Sequence, residues 1–284
     1  MSSAAFGFLP YTWNSMLLDV VQAALVALPA AGLPPLVRRL AGDSGRIWSL
    51  IMPVSIVAVV VGLAVLPGAA ITLTWLALLA VPVLAAATLG WGMHGARPAW
   101  AIGAVPLLVL AIAFEGRTAG DVGAMLLTAL SCVALARLLS GVVGDVSGQT
   151  WVRAALVAMA IIDAVLVFSS ALQGPNATLN AAVPAEQLPR LQFVTFNGAS
   201  MGYGDVFVAA VLGAVLAAEG ASRRVQLGAA AATFVASTLF SLLWAFDGIS
   251  TLPATVPVAV VLLVFGGLRG WSAGWFGRGR PTAA

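Results

Sequence analysis

The sequence predicts an all-α membrane protein of nine transmembrane helices, and three observations carry that prediction. First, 61% of its 284 residues are apolar and only 8% are charged, against about a quarter charged in a soluble domain. Second, the apolar residues fall in runs near 15–36, 47–67, 69–91, 98–114, 121–143, 151–172, 199–218, 225–246 and 252–268. At roughly 20 residues per crossing, such runs are of membrane length. Third, all thirteen basic residues are arginine, and they are distributed unevenly among the breaks between runs. A soluble enzyme, a disordered chain and a secreted disulfide scaffold are excluded by composition.

The breaks justify the spans in order. Met1–Asn14 has no basic residue ahead of the first apolar run, so it does not read as a cleavable signal peptide. Arg38, Arg39 and Arg46 separate the first two runs, and a tight Pro67-Gly68 break separates the second from the third. A polar stretch from Gly92 to Pro98 precedes the fourth run, and Glu115 and Arg117 precede the fifth. Asp145, Glu219 and Asp247 mark later breaks. Trp13, Trp48, Trp91, Trp100, Trp151, Trp244 and Trp271 fall at the proposed ends, as an aromatic belt requires, whereas Trp75 lies inside a span.

Orientation follows from the arginines. Arg38, Arg39, Arg46, Arg97, Arg137, Arg153, Arg223, Arg224, Arg269, Arg278 and Arg280 fall on one side of the bundle; Arg117 and Arg190 fall on the other. The positive-inside rule then puts the N-terminus outside and the C-terminus in the cytoplasm, which needs an odd number of spans. The arginine-for-lysine and alanine-rich bias points to a GC-rich prokaryotic genome, and so to the plasma membrane.

The one long connection, 173–199, reads as an irregular extracytoplasmic loop because of Gly174, Pro175, Asn176 and Pro184. It ends in Leu191-Gln192-Phe193-Val194-Thr195-Phe196, aromatic and β-branched enough for a short strand. The same stretch also reads as the frayed start of the seventh helix. Asn176-Ala177-Thr178 matches a glycosylation sequon by chance in a prokaryotic chain.

Cys132 and His94 are single, so no internal disulfide and no Cys/His metal cluster can be assembled. No His-Glu-x-x-His occurs. The net charge of +3 rests on so few groups that nucleic-acid binding is not implied. No metal and no organic cofactor are expected.

Ionised side chains inside a bilayer cost about 2.5–3.5 kcal/mol each on insertion scales, and most acids here avoid that cost. Asp43, Asp121, Asp145, Glu115, Glu186, Glu219 and Asp247 lie in breaks, and Asp19, one turn into the first span, reads as solvated at the interface. Asp163 has no such explanation, because its nearest charge is Arg153, ten positions away. Its alternatives are a functional group or a hydrogen-bonding glue between helices. The second carboxylate is Asp205, in Gly202-Tyr203-Gly204-Asp205. Gly-Asp alone says little, since Gly42, Gly120 and Gly144 also precede an Asp at span edges. Depth separates Asp205 from those. Asp163 lies ten residues from Arg153 and Asp205 fourteen from Glu219, or about 15 and 21 Å at 1.5 Å per residue. Tilt and local unwinding absorb the difference, so the two carboxylates face each other across antiparallel helices.

Paired carboxylates in a low dielectric share a proton. One is then able to activate water while the other donates a proton to a scissile carbonyl. Glycines before Asp205 leave backbone open to close approach.

Asp163 in the sixth span, Gly202-Tyr203-Gly204-Asp205 in the seventh and Pro253-Ala254 opening the ninth resemble the presenilin and signal peptide peptidase family of nine-span intramembrane aspartyl proteases. The resemblance covers about 151–268, and the span count extends it along the chain. It implies that Asp163 and Asp205 are the catalytic pair, and that Gly202, Tyr203, Gly204, Pro253 and Ala254 border the substrate cleft. It also implies one transmembrane domain over 1–284. Within it, 1–143 would be a five-helix scaffold and 151–268 a catalytic four-helix region. Two positions depart from the family pattern: Ile162 replaces an aromatic residue, and Thr255 replaces the leucine of Pro-Ala-Leu. The outward N-terminus is that of signal peptide peptidases and implies transmembrane substrates of type II orientation within the lipid bilayer. The strand at 191–196 would pair with an unwound substrate segment.

Three other readings remain: a prepilin peptidase, a proton- or cation-coupled transporter, and a non-catalytic relative that binds or retains membrane helices. Prepilin peptidases share a Gly-x-Gly-Asp, but a lysine commonly follows where this chain has Phe207, and their first Asp lies at a more polar edge. A proton- or cation-coupled transporter would also use buried membrane carboxylates.

Overall fold

In the computed structural model, residues 13–31, 50–66, 68–143, 146–169, 171–186, 188–246 and 253–276 are described. The chain is predominantly helical. Helices occupy the place of each apolar run: α1 (Trp13–Ala27), α2 (Ile51–Val65), α3 (Ala69–Ala87), α4 (Ala104–Ala113), α5 (Thr118–Val143) and α6 (Val146–Phe168) precede the long connection. A π-helical turn (Thr88–Gly92) extends α3, and a 3-10 turn (Pro98–Gly103) leads into α4. After a short helix, α7 (Gln173–Ala181), come β1 (Phe193–Phe196), β2 (Ala199–Gly202), α8 (Tyr203–Ala218), α9 (Arg223–Phe246) and α10 (Thr255–Phe276). Among the described residues, Ala69–Gly92, Thr118–Val143, Gln149–Phe168 and Arg223–Leu242 are long and apolar enough to cross a membrane. Arg38, Arg39, Arg46, Asp43, Asp145, Asp247, Trp48, Arg278 and Arg280 lie outside the described residues.

Helix α8 is the centre of the molecule. Val206 and every residue from Val208 to Ala217 are buried, so it is apolar all round, as a helix with neighbours on every side must be. Helices α5 and α1 make its largest contacts, and α10 and α6 close the remaining faces. Gly213 permits the tightest of these approaches, since a Cβ there would collide with the Val26 carbonyl of α1. Valines 54, 57, 59 and 61 of α2 stay exposed. Unpartnered apolar side chains of this kind fit a lipid-facing surface.

Three sequence expectations change, and the open alternative at 191–196 resolves to a strand. The 173–199 connection is not irregular throughout, because α7 forms within it; Pro175 sits in the first helical turn, where the missing N–H costs no internal bond. Residues 193–196 are a strand and not a frayed helix. They pair antiparallel with Ala199–Gly202, so the seventh helix begins at Tyr203 rather than 199. Asn197 (φ 44°) and Gly198 (φ 86°) form the two-residue turn, the Asn-Gly type whose left-handed backbone matches strand twist. Asp19 is not solvated: it is 4% exposed, on a buried face of α1. Finally, Arg137 is no loop cation. It lies within α5, 3% exposed, with its guanidinium 4.9 Å from the centre of the Trp91 ring, where cation–π attraction replaces part of its hydration.

Candidate active site

The two aspartates come together. Asp163 projects from the second half of α6 and is buried, and Asp205 lies in the first turn of α8, partly buried. Each lies within electrostatic range of the other. Their levels are set at the far ends of the two helices, where Arg153 of α6 and Glu219 just past α8 form an ion pair. From that common level the helices run side by side, and the glycine-rich entry of α8 ends beside Asp163.

Thr255 joins this pair. Its hydroxyl donates to Asp163 Oδ2 over 2.7 Å, and its backbone N–H also reaches the Asp163 carboxyl. Thr255 is the first residue of α10 and is 1% exposed. The first-turn N–H groups of a helix have no partner within it, and the helix dipole favours negative charge there. Asp163 therefore caps α10 from a different helix. The position that departs from Pro-Ala-Leu is thus occupied by a residue that touches the carboxylate, a role no leucine side chain has.

The flanking residues divide. At Gly202 space is tight: a Cβ there would lie 3.0 Å from Asp205 Oδ2 and would oblige that carboxylate to shift, and the Gly202 backbone hydrogen-bonds the same carboxyl. Gly204 is less constrained, since a Cβ would make ordinary contact with Met159 at 3.5 Å. Pro253 is buried and Ala254 half-buried at the start of α10, next to Thr255. Tyr203 stands apart. Its hydroxyl engages Ser131 of α5 at 2.9 Å rather than either aspartate. Ile162 is half-buried beside Asp163.

One residue of the site escaped the sequence reading. Gln22 of α1 is fully buried, and its amide donates to the carbonyls of Asp205 (3.2 Å) and Ala254 (3.1 Å). Its oxygen accepts from Ser237 of α9 at 2.9 Å. A glutamine amid apolar residues was the available signal, for a buried amide needs polar partners.

The hairpin leads into the site and is pinned at its tip. The Asn197 N–H donates to Asp121 Oδ2 (3.0 Å), Thr118 donates to the Asn197 side chain (3.0 Å), and Asn14 of α1 donates to the Asn197 carbonyl (3.0 Å). Strand β1 lies against α5, with Val194 fully buried, while Ser200 of β2 is exposed. No group of three or more His, Cys, Asp or Glu side chains placed to hold a metal occurs among the described residues.

No family model, curated protein or solved structure matches the chain.

Proposed function

We propose that the protein is an intramembrane aspartyl endopeptidase that hydrolyses peptide bonds within transmembrane segments of membrane proteins or signal peptides. The observation that carries this reading is the meeting of Asp163 and Asp205 at the glycine-rich start of a central, apolar helix. Helices α1 to α6 and α8 to α10 would be nine spans of a presenilin-like bundle in the plasma membrane, with the N-terminus outside. Asp163 would act as base. The Thr255 hydroxyl orients its carboxyl, leaving the other oxygen to take a proton from water. The hydroxide adds to the scissile carbonyl as Asp205 donates its proton to the carbonyl oxygen. As the tetrahedral adduct collapses, one of its hydroxyls returns a proton to Asp205, the C–N bond breaks, and the proton held by Asp163 passes to the leaving amine.

Substrate would enter as a type II transmembrane segment, unwound at the scissile bond. We assign its docking edge to β2, because β1 is covered by α5 and β2 runs directly into Gly202. Backbone hydrogen bonds along such an edge give affinity for an extended segment.

The test is cleavage of a purified single-span substrate by the wild type and by Asp163→Asn and Asp205→Asn. Product from the wild type alone supports the protease. Ion flux into vesicles without cleavage supports a carboxylate-based transporter instead.

A further inference from the structure

Gln22 belongs to the first helix, outside the region that carries the catalytic motifs, yet it touches the backbone on both sides of the aspartate pair. One N–H of its amide reaches the carbonyl of Asp205 itself, and the other reaches Ala254, the residue before Thr255. Thr255 in turn holds Asp163 Oδ2. The contacts form a chain from one aspartate to the other: the Asp163 carboxyl, the Thr255 side chain, the Ala254 peptide, the Gln22 amide and the Asp205 backbone.

We infer that Gln22 is the positioning residue of the pair, a clasp that fixes the separation between Asp205 on α8 and the Thr255-bound Asp163 at the mouth of α10. Three observations support it. Both donors of the amide are used, and its oxygen is held by Ser237, so the side chain has one orientation. It is fully buried, so water does not replace it. One turn further along α1, the Val26 carbonyl packs directly on Gly213, so α1 and α8 are in backbone contact beside the clasp. Without the clasp, the start of α10 loses its hydrogen-bonded link to α8, and Asp163 moves with it through Thr255.

The kinetic part of the test rests on the protease reading; the distance part does not. The full chain in nanodiscs would carry Gln22→Met, which keeps length and removes the amide, Ser237→Ala, which frees the amide to rotate, or both. A misplacement of about 1 Å at reacting groups costs on the order of 100-fold in rate. Gln22→Met should therefore lower kcat about 100-fold and leave KM within about threefold. Ser237→Ala should show an intermediate loss, and the double variant should be no worse than Gln22→Met. In parallel, nitroxide labels at Val20→Cys and Val260→Cys, with Cys132→Ser, report the distance between α1 and α10 by pulsed EPR. That distribution should broaden or lengthen in Gln22→Met, and to a smaller degree in Ser237→Ala. An unchanged distribution in both variants overturns the clasp whatever the activity, as does additive loss in the double variant. Absence of cleavage by the wild type sinks the protease reading and leaves the clasp to be decided by the distances.

Discussion

Arg153 and Glu219 form an ion pair between the first part of α6 and the end of α8, with nitrogen and oxygen 2.5 Å apart. This contact levels the two helices that carry the aspartates. Counted from it, Asp163 and Asp205 differ in height by about 6 Å on ideal helices. Asp205 lies in the first turn of α8, where the chain has just left a strand. Both charged side chains are largely shielded, at 21% and 17% exposure. A double-mutant cycle with Arg153→Met and Glu219→Gln should give a coupling of about 1–2 kcal/mol in unfolding from mixed micelles. Purely additive losses would mean that the pair does not set the register.

Thr255 supplies a hydroxyl where the family pattern has a leucine. Thr255→Val keeps the shape and removes the donor, and a hydrogen bond to a charged group is worth about 1.5–3 kcal/mol. The expected result is a kcat about 10- to 100-fold lower with KM unchanged, and recovery of most of the rate in Thr255→Ser. Equal rates for valine and wild type would remove the hydroxyl from the mechanism.

The hairpin can be tested at Ser200, the exposed residue of β2. A two-residue turn closes on a hydrogen-bonded pair, so Phe196–Ala199 and Val194–Met201 exchange ladder bonds, and Ser200 directs its N–H away from β1. Proline at Val194 would break the hairpin itself, so it does not isolate substrate pairing. Proline at Ser200 removes only an outward donor. Ser200→Pro should raise KM or abolish cleavage while thermal stability in detergent stays near that of the wild type. Unaltered turnover would rule out pairing along β2.

Near the hairpin tip, Glu115 has its carboxyl pushed above the ordinary value of 4.5, first by desolvation and then by the Asp121 charge, with Arg190 opposing. A carboxyl with a raised folded value destabilises the fold as pH climbs above 4.5, and the loss is complete above that folded value. Glu115→Gln should therefore raise the melting temperature at pH 7 and have no effect near pH 4. The reverse pH dependence would contradict this arrangement.

The legible part of this chain was whatever depends on one element alone. Apolar runs gave the helix positions, and Asp163 and Asp205 stood out because charge at that depth has no local excuse. Depth counting placed them together because Arg153 and Glu219 do share a level. Asn197-Gly198 is a hairpin signal that the reading by apolar runs passes over, assigning β2 to the start of the seventh helix. Gln22, Asp19 and Thr255 were hidden for a different reason. Gln22 meets partners 183 and 232 positions away, and Thr255 meets one 92 positions away. No local pattern encodes such contacts; they arise only when α1, α6, α8 and α10 are packed together. Arg137 misled the topology count because its ring partner, Trp91, comes from the end of α3.

The central claim is that Asp163 and Asp205 together direct water onto a peptide bond inside an apolar segment. The most direct measurement is mass spectrometry of the products from a single-span, type II substrate incubated in water enriched in oxygen-18. The account predicts a cut within the apolar segment and one heavy oxygen in the new C-terminal carboxyl, with no product from Asp163→Asn or Asp205→Asn. Product that persists in either variant, or a wild type that leaves the substrate intact, would contradict it.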